Sequence, residues 1–205
     1  HREEAEKAMI FQTEGDSAAG TITQARNSDY QAVFALRGKI LNVQGKNRTE
    51  IYKNEELYNM MIALGIEESM DNLRYGKVVI ATDADVDGFH IRILIMTYFF
   101  TYFEELIEQG RLYILETPLF RVRNKKENVY CYSEEERDEA LKVVKSAEVT
   151  RFKGLGEIRS EEFKKFIGDE IKLVPVTYDS LREIRQEMEF YMGDNTIERQ
   201  NFIRE

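Results

Sequence analysis

The sequence predicts an α/β fold built on a mostly parallel, doubly wound sheet. Short apolar, β-branched runs alternate with helix-like segments over the first 118 residues, and the connections between them are short. Acidic and glycine-containing turns follow two of these runs. Consecutive parallel strands need a crossover between them, usually a helix, so this alternation indicates a sheet with helices on both faces.

Four strands are predicted in this first part. The clearest is the run Lys77 to Thr82, in which three consecutive β-branched residues indicate a buried strand. The other three runs have the same short, apolar character and are bounded by polar or glycine residues. They span residues 8–13, 31–36 and 112–115.

Three helices are predicted between these strands. The first spans Ser17 to Arg26, with Asp16 or Ser17 as its N-cap. The second, residues 54–64, has apolar side chains at helical spacing and is ended by Gly65. The third runs from about residue 90 to residue 109 and is ended by Gly110.

The pattern changes after Pro118, where we predict a domain boundary between residues 1–118 and a tail of residues 119–205. The tail is predicted to open with a basic hairpin over residues 120–132. A helix over 133–144 follows, with a capping box formed by Ser133 and Glu136. The remaining predicted elements are a strand over 148–152, a short helix from Ser160 and a longer charged helix over 180–192.

Composition limits the class of protein. The chain is 42% hydrophobic and 33% charged over 205 residues, which is ordinary for a globular protein with a real core. Cys131 is alone, so no internal disulfide or C-x-x-C zinc site is expected, and a reducing, cytoplasmic setting fits. The most apolar stretch, 91–103, is too short to span a bilayer. The first residue is His1, which suggests a fragment of a longer protein.

Basic side chains are grouped even though the net charge is −9. Residues 30–49 contain no acid and four basic residues, and residues 119–126 also contain four. Arg151 and Lys153 form a third group. Grouped basic side chains on an acidic protein indicate contact with phosphates.

The segment ATDADVDG places Asp83, Asp85 and Asp87 at alternate positions directly after a predicted strand. Carboxylates this close repel one another, so they must face water or a cation. An EF-hand calcium loop is excluded, because the twelfth position is Leu94 instead of a glutamate and a strand precedes the loop. A metal site and a solvated acidic turn both remain open.

Glu14 lies at the carboxyl end of the first predicted strand, and Asp83 lies at the carboxyl end of the third. In open α/β sheets ligands lie outside the carboxyl ends of the strands, so these acids form one oxygen-rich cluster if the two strands adjoin. Oxygen ligands without His or Cys favour Mg²⁺ over zinc or copper. Glu14 suits the role of metal ligand, of general acid or base, or both.

The motifs resemble those of the bacterial type IIA topoisomerase B-subunit family, which comprises the B subunits of gyrase and of topoisomerase IV. They are TEGDSAAG, LRGKILNV, TDADVDGFHIR, RFKGLGE and YMGDNTIERQNFI, in the family's order and over nearly the whole chain. The resemblance implies a Rossmann-like Toprim domain in residues 1–118, followed by a small α+β and helical tail. It also implies Mg²⁺-dependent cleavage and religation of double-stranded DNA, with Mn²⁺ or Ca²⁺ able to replace Mg²⁺ in binding.

By motif match, the resemblance implies roles for particular residues. Glu14, Asp83 and Asp85 would be the catalytic metal carboxylates, with Asp87 supporting them as a metal residue. The attacking tyrosine would come from the A subunit of an A2B2 heterotetramer, and an ATPase domain would lie upstream. The implied DNA contacts are Arg37, Lys39, Asn42, His90, Lys153 and Arg199.

Some features separate the members of this family. The short spacing between Asp87 and Lys153 leaves no room for the insertion of some gyrase B chains, which favours topoisomerase IV and a role in chromosome segregation. Inhibitor contacts are expected near Asp16 and Arg37. The alternatives are a Toprim-type nuclease or primase fragment, or a non-catalytic metal-binding scaffold.

Overall fold

The computed structural model describes residues 2–37, 40–180 and 182. Eight strands occur within these ranges: β1 (Met9–Glu14), β2 (Gln31–Leu36), β3 (Lys77–Ala81), β4 (Leu112–Glu116), β5 (Phe120–Arg123), β6 (Asn128–Cys131), β7 (Glu148–Arg151) and β8 (Lys172–Pro175). The α-helices of the same ranges are α1 (Arg2–Lys7), α2 (Gly15–Ala25), α3 (Arg48–Tyr52), α4 (Glu55–Leu64), α5 (Val86–Tyr102), α6 (Glu104–Glu108), α7 (Glu134–Val143) and α8 (Ser160–Phe166).

The larger sheet has five strands in the order β2-β1-β3-β4-β8. The first four are parallel, and only β8 runs antiparallel, beside β4. This mixed α/β fold with a mostly parallel sheet confirms the predicted fold class. Since β1 and β3 are direct neighbours, their carboxyl ends lie at the same edge of the sheet.

The two faces of this sheet carry separate apolar cores, because side chains alternate along each strand. Ile10 of β1 packs on one face with buried residues of α4 and α5. Phe11 packs on the other face with Ile22 of α2 and Phe163 of α8. Burial of each such side chain contributes roughly 1.5–3 kcal/mol, and together the two layers hold the strand ends in place.

The second sheet is small and antiparallel, in the order β6-β5-β7. It contains the predicted hairpin and the predicted strand near residue 150. The chain then forms α8 and returns to the larger sheet as β8, a strand that sequence reasoning missed. The domain boundary near residue 118 stays a prediction.

The third predicted helix differs from the structure at both ends. It begins at Val86, because the Asp85 carboxylate caps it by accepting a hydrogen bond of 2.7 Å from the Gly88 N–H. It also breaks at Phe103, whose φ of −136° is not helical, so residues 86–108 form α5 and α6. Gly110 follows in the left-handed region, with a φ of 66°.

One predicted N-cap and one predicted capping box differ from the structure. Helix α2 starts at Gly15 with Glu14 in the N-cap position, and the Glu14 side chain makes no capping hydrogen bond. Ser133 does cap α7, but the Glu136 carboxylate accepts from the Tyr132 N–H instead of completing a capping box. Helices α1 and α3 were missed, and the helix predicted over 180–192 falls almost wholly outside the described residues.

No helix in the described ranges has the length and apolarity that crossing a membrane requires.

Candidate metal centre at the carboxyl edge of the sheet

Glu14 and the aspartate turn meet at one edge of the sheet, as expected if the two strands adjoin. Thr13 of β1 pairs in register with Ala81 of β3. Glu14 is the next residue on β1, and Asp83 lies two residues beyond Ala81, so both acids leave adjacent strands at nearly the same level. Residues far apart in sequence are thereby brought into one acidic edge.

The Glu14 carboxyl is poorly satisfied by the protein alone. Its Oε2 is buried and has no hydrogen-bond partner among the described residues. Burial raises the pKa of this carboxyl, and the nearby charges of Asp83, Asp85 and Asp87 raise it further. All three aspartates therefore act electrostatically on the same group.

Asp83 is half-buried and held by the KGLGE segment. Its Oδ1 accepts a hydrogen bond of 2.8 Å from the Leu155 N–H. Burial raises the pKa of Asp83, the Leu155 hydrogen bond lowers it, and the charges of Asp85 and Glu157 raise it again. Sequence reasoning missed Glu157 as part of this acidic edge, although it is the last residue of the KGLGE motif.

The remaining two aspartates lie at the start of α5, where both are exposed. Asp85 uses Oδ1 to cap the helix, and Asp87 follows in its first turn. Across the described part of the chain, no three Asp, Glu, His or Cys side chains converge closely enough to hold an ion as they stand. Side-chain rotation of Glu14 or Asp83 would be needed to bring the oxygens together.

The donor set nevertheless fits a divalent cation. Glu14 has a buried oxygen without a partner, and the pKa values of Glu14 and Asp83 are both raised by burial and by like charge. A cation bound between them would satisfy the oxygen and reverse the repulsion. The ligand atoms are all carboxylate oxygens, the type that Mg²⁺ and Ca²⁺ prefer.

Glycines allow the KGLGE segment to approach this edge. A Cβ placed on Gly154 would lie 3.2 Å from Asp83 Oδ2, and one on Gly156 would lie 2.2 Å from Ser17 Oγ. Ser17 belongs to α2, which follows Glu14 directly. The segment therefore packs closely against both acidic strand ends, and a side chain at either position would have to displace the Asp83 or Ser17 side chain.

Two predicted DNA contacts are placed near this edge. Lys153 immediately precedes Gly154; its side chain is exposed, and its backbone N–H donates to Glu157 Oε2 at 2.7 Å. His90 is exposed on α5, in the turn after the aspartates. Both side chains are therefore accessible to a ligand at the carboxyl edge.

Of the other four predicted DNA contacts, the structure describes Arg37 and Asn42. Arg37 is exposed and its Nε donates to Asp16 Oδ1 at 3.0 Å, so the two residues proposed for inhibitor contact form one ion pair. Asn42 Oδ1 accepts from the Gln44 N–H at 3.1 Å and stabilises its own turn. Lys39 and Arg199 lie outside the described residues.

A groove of about 490 Å³ adjoins the acidic edge and is lined by Asp83, Asp85 and Arg92, among others. Arg92 is half-buried, and its Nε donates to Thr82 Oγ1 at 3.4 Å. Burial lowers the pKa of this guanidinium, whereas the Glu116 charge raises it. Sequence reasoning missed Arg92 as a cation beside the aspartates, although it ends the motif TDADVDGFHIR.

The fold and this acidic edge together define a class of domain: a mostly parallel α/β sheet with a glutamate after its first strand and an aspartate turn after its third. The Toprim domain family matches residues 10–117, and the chain belongs to this family. Toprim domains of topoisomerases bind divalent metal ions.

Named relatives extend the match beyond the domain. The chain is 62% identical over 204 residues to the B subunit of DNA topoisomerase 4 from Borreliella burgdorferi, covering 98% of this chain and 34% of the relative. It is 41% identical over 206 residues to the B subunit of DNA gyrase from Thermotoga maritima, covering 97% of this chain and 32% of that relative. The chain thus spans about a third of the length of these relatives.

A solved structure supports the fold independently. The DNA-binding, cleavage and re-ligation domain of Plasmodium falciparum topoisomerase II matches with a TM-score of 0.78 and 24% sequence identity. The match covers 92% of this chain and 28% of the other. At this identity the likeness establishes the fold alone.

Proposed function

We propose that this chain is the metal-binding part of the B subunit of a type IIA DNA topoisomerase, an enzyme that cleaves and rejoins double-stranded DNA. The observation that carries the proposal is the meeting of Glu14 with Asp83 and Asp85 at adjoining strand ends. The higher identity to the topoisomerase 4 relative, 62% against 41% for the gyrase relative, favours topoisomerase IV.

The proposed ion is Mg²⁺, held by Glu14, Asp83 and Asp85 with Asp87 in support. Bound there, Mg²⁺ would supply charge stabilisation to the oxygens of a reacting phosphodiester. The protein's part is to orient the carboxylates, and the Leu155 N–H does this for Asp83. Glu14 has an unpartnered oxygen and a raised pKa, which suit it both to a metal and to a proton.

The proposed nucleophile is a tyrosine of the A subunit in an A2B2 assembly. Tyr132 of this chain lines the groove beside Asp83, but burial raises its pKa to about 12. A nucleophile is normally activated by a base or a lowered pKa, so a phenol with a raised pKa is poorly suited to attack phosphorus. Tyr132 is therefore not the proposed nucleophile, in keeping with an active site shared between two chains.

The decisive experiment mixes this subunit with its A subunit, plasmid DNA and Mg²⁺, and traps the products with denaturant. We expect linear DNA joined covalently to the A subunit only. The chain by itself should bind Mg²⁺ weakly and should not hydrolyse ATP, because its sequence contains no P-loop motif. It should form no covalent bond to DNA, because the proposed nucleophile belongs to the A subunit.

Other outcomes would select the alternatives. Covalent attachment of DNA to this chain would place the nucleophile among its own tyrosines. Nicking by this chain alone would favour a Toprim-type nuclease, and metal binding without cleavage in the mixture would favour a scaffold. ATP binding by the full-length enzyme, a cytoplasmic location and a role in chromosome segregation stay predictions.

Lys153→Ala is expected to weaken DNA binding equally for all sequences and to reduce the salt dependence by about one unit of slope. The reason is that an exposed lysine at the carboxyl edge contacts phosphate, which positions DNA without reading its bases. Binding measured across a series of salt concentrations gives the slope.

Lys7→Ala is the matched control for this variant. Lys7 is exposed and ends α1, two residues before β1 begins, so it lies at the opposite edge of the sheet. Its replacement should leave the slope unchanged. Equal slopes for wild type and Lys153→Ala would show that Lys153 does not contact DNA.

A further inference from the structure

Gln12 is a fully buried polar side chain in the middle of β1, with 0% exposure. Neither its Oε1 nor its Nε2 has a hydrogen-bond partner among the described residues. Leaving a buried polar group unsatisfied costs about 1–3 kcal/mol, and such groups are few in native proteins. An amide in this position therefore requires an explanation.

The alternation of β1 places Gln12 on the same face as Glu14. Ile10 packs against α4 and α5, whereas Met9 and Phe11 belong to the opposite core. Gln12 and Glu14 continue the Ile10 face, and two strand positions are separated by about 6.6 Å. Both side chains are long enough to meet across this distance.

The lateral neighbours of Gln12 offer it no hydrogen bond. In register, Gln12 lies between Phe34 of β2 and Ile80 of β3, and both pack in the apolar core on this face. Further along the same face of β1 is Glu14, whose buried Oε2 also has no partner among the described residues. Two buried, unsatisfied polar groups thus occupy successive positions on one face of one strand.

We propose that Gln12 is a positioning residue for Glu14, its Nε2 donating a hydrogen bond to the Glu14 carboxylate. Side-chain rotation would join the two groups and satisfy both. The bond would hold one Glu14 oxygen toward the strand and present the other at the carboxyl edge, where the ion is proposed to bind. This inference rests on the proposed function of the site.

The test uses the full-length subunit assembled with its A subunit, without nucleotide, and two apolar replacements, Gln12→Met and Gln12→Leu. Mn²⁺ binding followed by electron paramagnetic resonance should weaken about tenfold, in line with the effect of other residues that orient metal ligands. The Mg²⁺ concentration for half-maximal cleavage should rise similarly, with the maximal rate little changed. A purely structural role for Gln12 would not move the metal titration.

Thermal unfolding in metal-free buffer separates an effect on the orientation of Glu14 from an effect on the stability of the protein. The apolar variants should still fold but unfold at a somewhat lower temperature, because they leave the buried Glu14 oxygen without its proposed hydrogen-bond donor. In a Glu14→Gln background, Gln12→Met should have no further effect on Mn²⁺ binding, since the carboxylate that it orients is gone.

Each contrary result has a distinct meaning. Unchanged Mn²⁺ binding in both Gln12 variants would overturn the inference while leaving the proposed function intact. Unchanged binding in Glu14→Gln itself would instead contradict the metal site. Failure of both Gln12 variants to fold would show that the amide serves the fold, and would also overturn the inference.

Discussion

Asp83→Asn is expected to reduce Mg²⁺-dependent DNA cleavage by the reconstituted enzyme about 10³-fold or more. Glu14→Gln and Asp85→Asn should have effects of the same order. The reason is that metal stabilisation of a phosphodiester transition state supplies several kcal/mol, and about 4 kcal/mol corresponds to about 10³-fold in rate. The initial rate of cleavage at saturating A subunit is the measurement.

Asp29→Asn is the matched control. Asp29 is exposed in the turn that precedes β2, so it lies at the opposite edge of the sheet from Glu14. Its replacement should leave cleavage unchanged. Wild-type rates in all three carboxylate variants would rule out the metal assignment.

Carboxylate variants that lose cleavage activity should gain stability when no metal is present. The pKa values of Glu14 and Asp83 are raised in the folded protein, so the folded state binds more protons than the unfolded state above their ordinary pKa values. Stability in EDTA should therefore fall as the pH rises from the ordinary pKa values of these two carboxyls to their raised values in the folded protein. Glu14→Gln should remove its share of the fall and raise the melting temperature at neutral pH.

Gly88→Ala is expected to destabilise the protein by about 1–3 kcal/mol and to abolish most of the cleavage activity. A Cβ on Gly88 would lie 2.1 Å from the carbonyl oxygen of Asp83, so the aspartate turn and the start of α5 must separate. The hydrogen bond from the Gly88 N–H to Asp85 would be disturbed as well. Denaturant unfolding and the cleavage assay measure the two effects.

Gly20→Ala provides the matched control on another helix. Gly20 lies inside α2, and a Cβ there would have no neighbour within 4 Å. Replacing an unconstrained helical glycine should stabilise the protein by about 0.4–1 kcal/mol and leave cleavage unchanged. Equal stability and activity of Gly88→Ala and Gly20→Ala would contradict the crowding inferred at the aspartate turn.

Local pattern was enough to predict most of the elements around the site. The β-branched run before Asp83 and the four predicted strands correspond to β1 through β4, and Gly65 ends α4 as expected. Helix caps were less predictable. Asp85 caps α5 through its own side chain, whereas Glu14 occupies a cap position without making the bond.

Two of the residues that sequence reasoning missed, Glu157 and Gln12, depend on contacts between distant segments. Glu157 acts on the pKa of Asp83 because the KGLGE segment folds back to β3, and Arg92 lies beside the same aspartate across a groove. The amide of Gln12 is unremarkable in the string MIFQTE and becomes notable only once β2 and β3 enclose it. Burial is a property of the assembled sheet.

The sequence by itself determined the acidic motifs, the alternation of strands and helices, and the chemical type of the ligands. Each of these is encoded by residues close together in the chain, where periodicity and side-chain chemistry can be read directly. Only the tertiary structure decided that β1 lies beside β3, so that Glu14 and Asp83 share an edge, and that β8 returns to the same sheet. Strand order depends on which crossovers bury both faces of the sheet. The free energy of that burial is summed over the whole core.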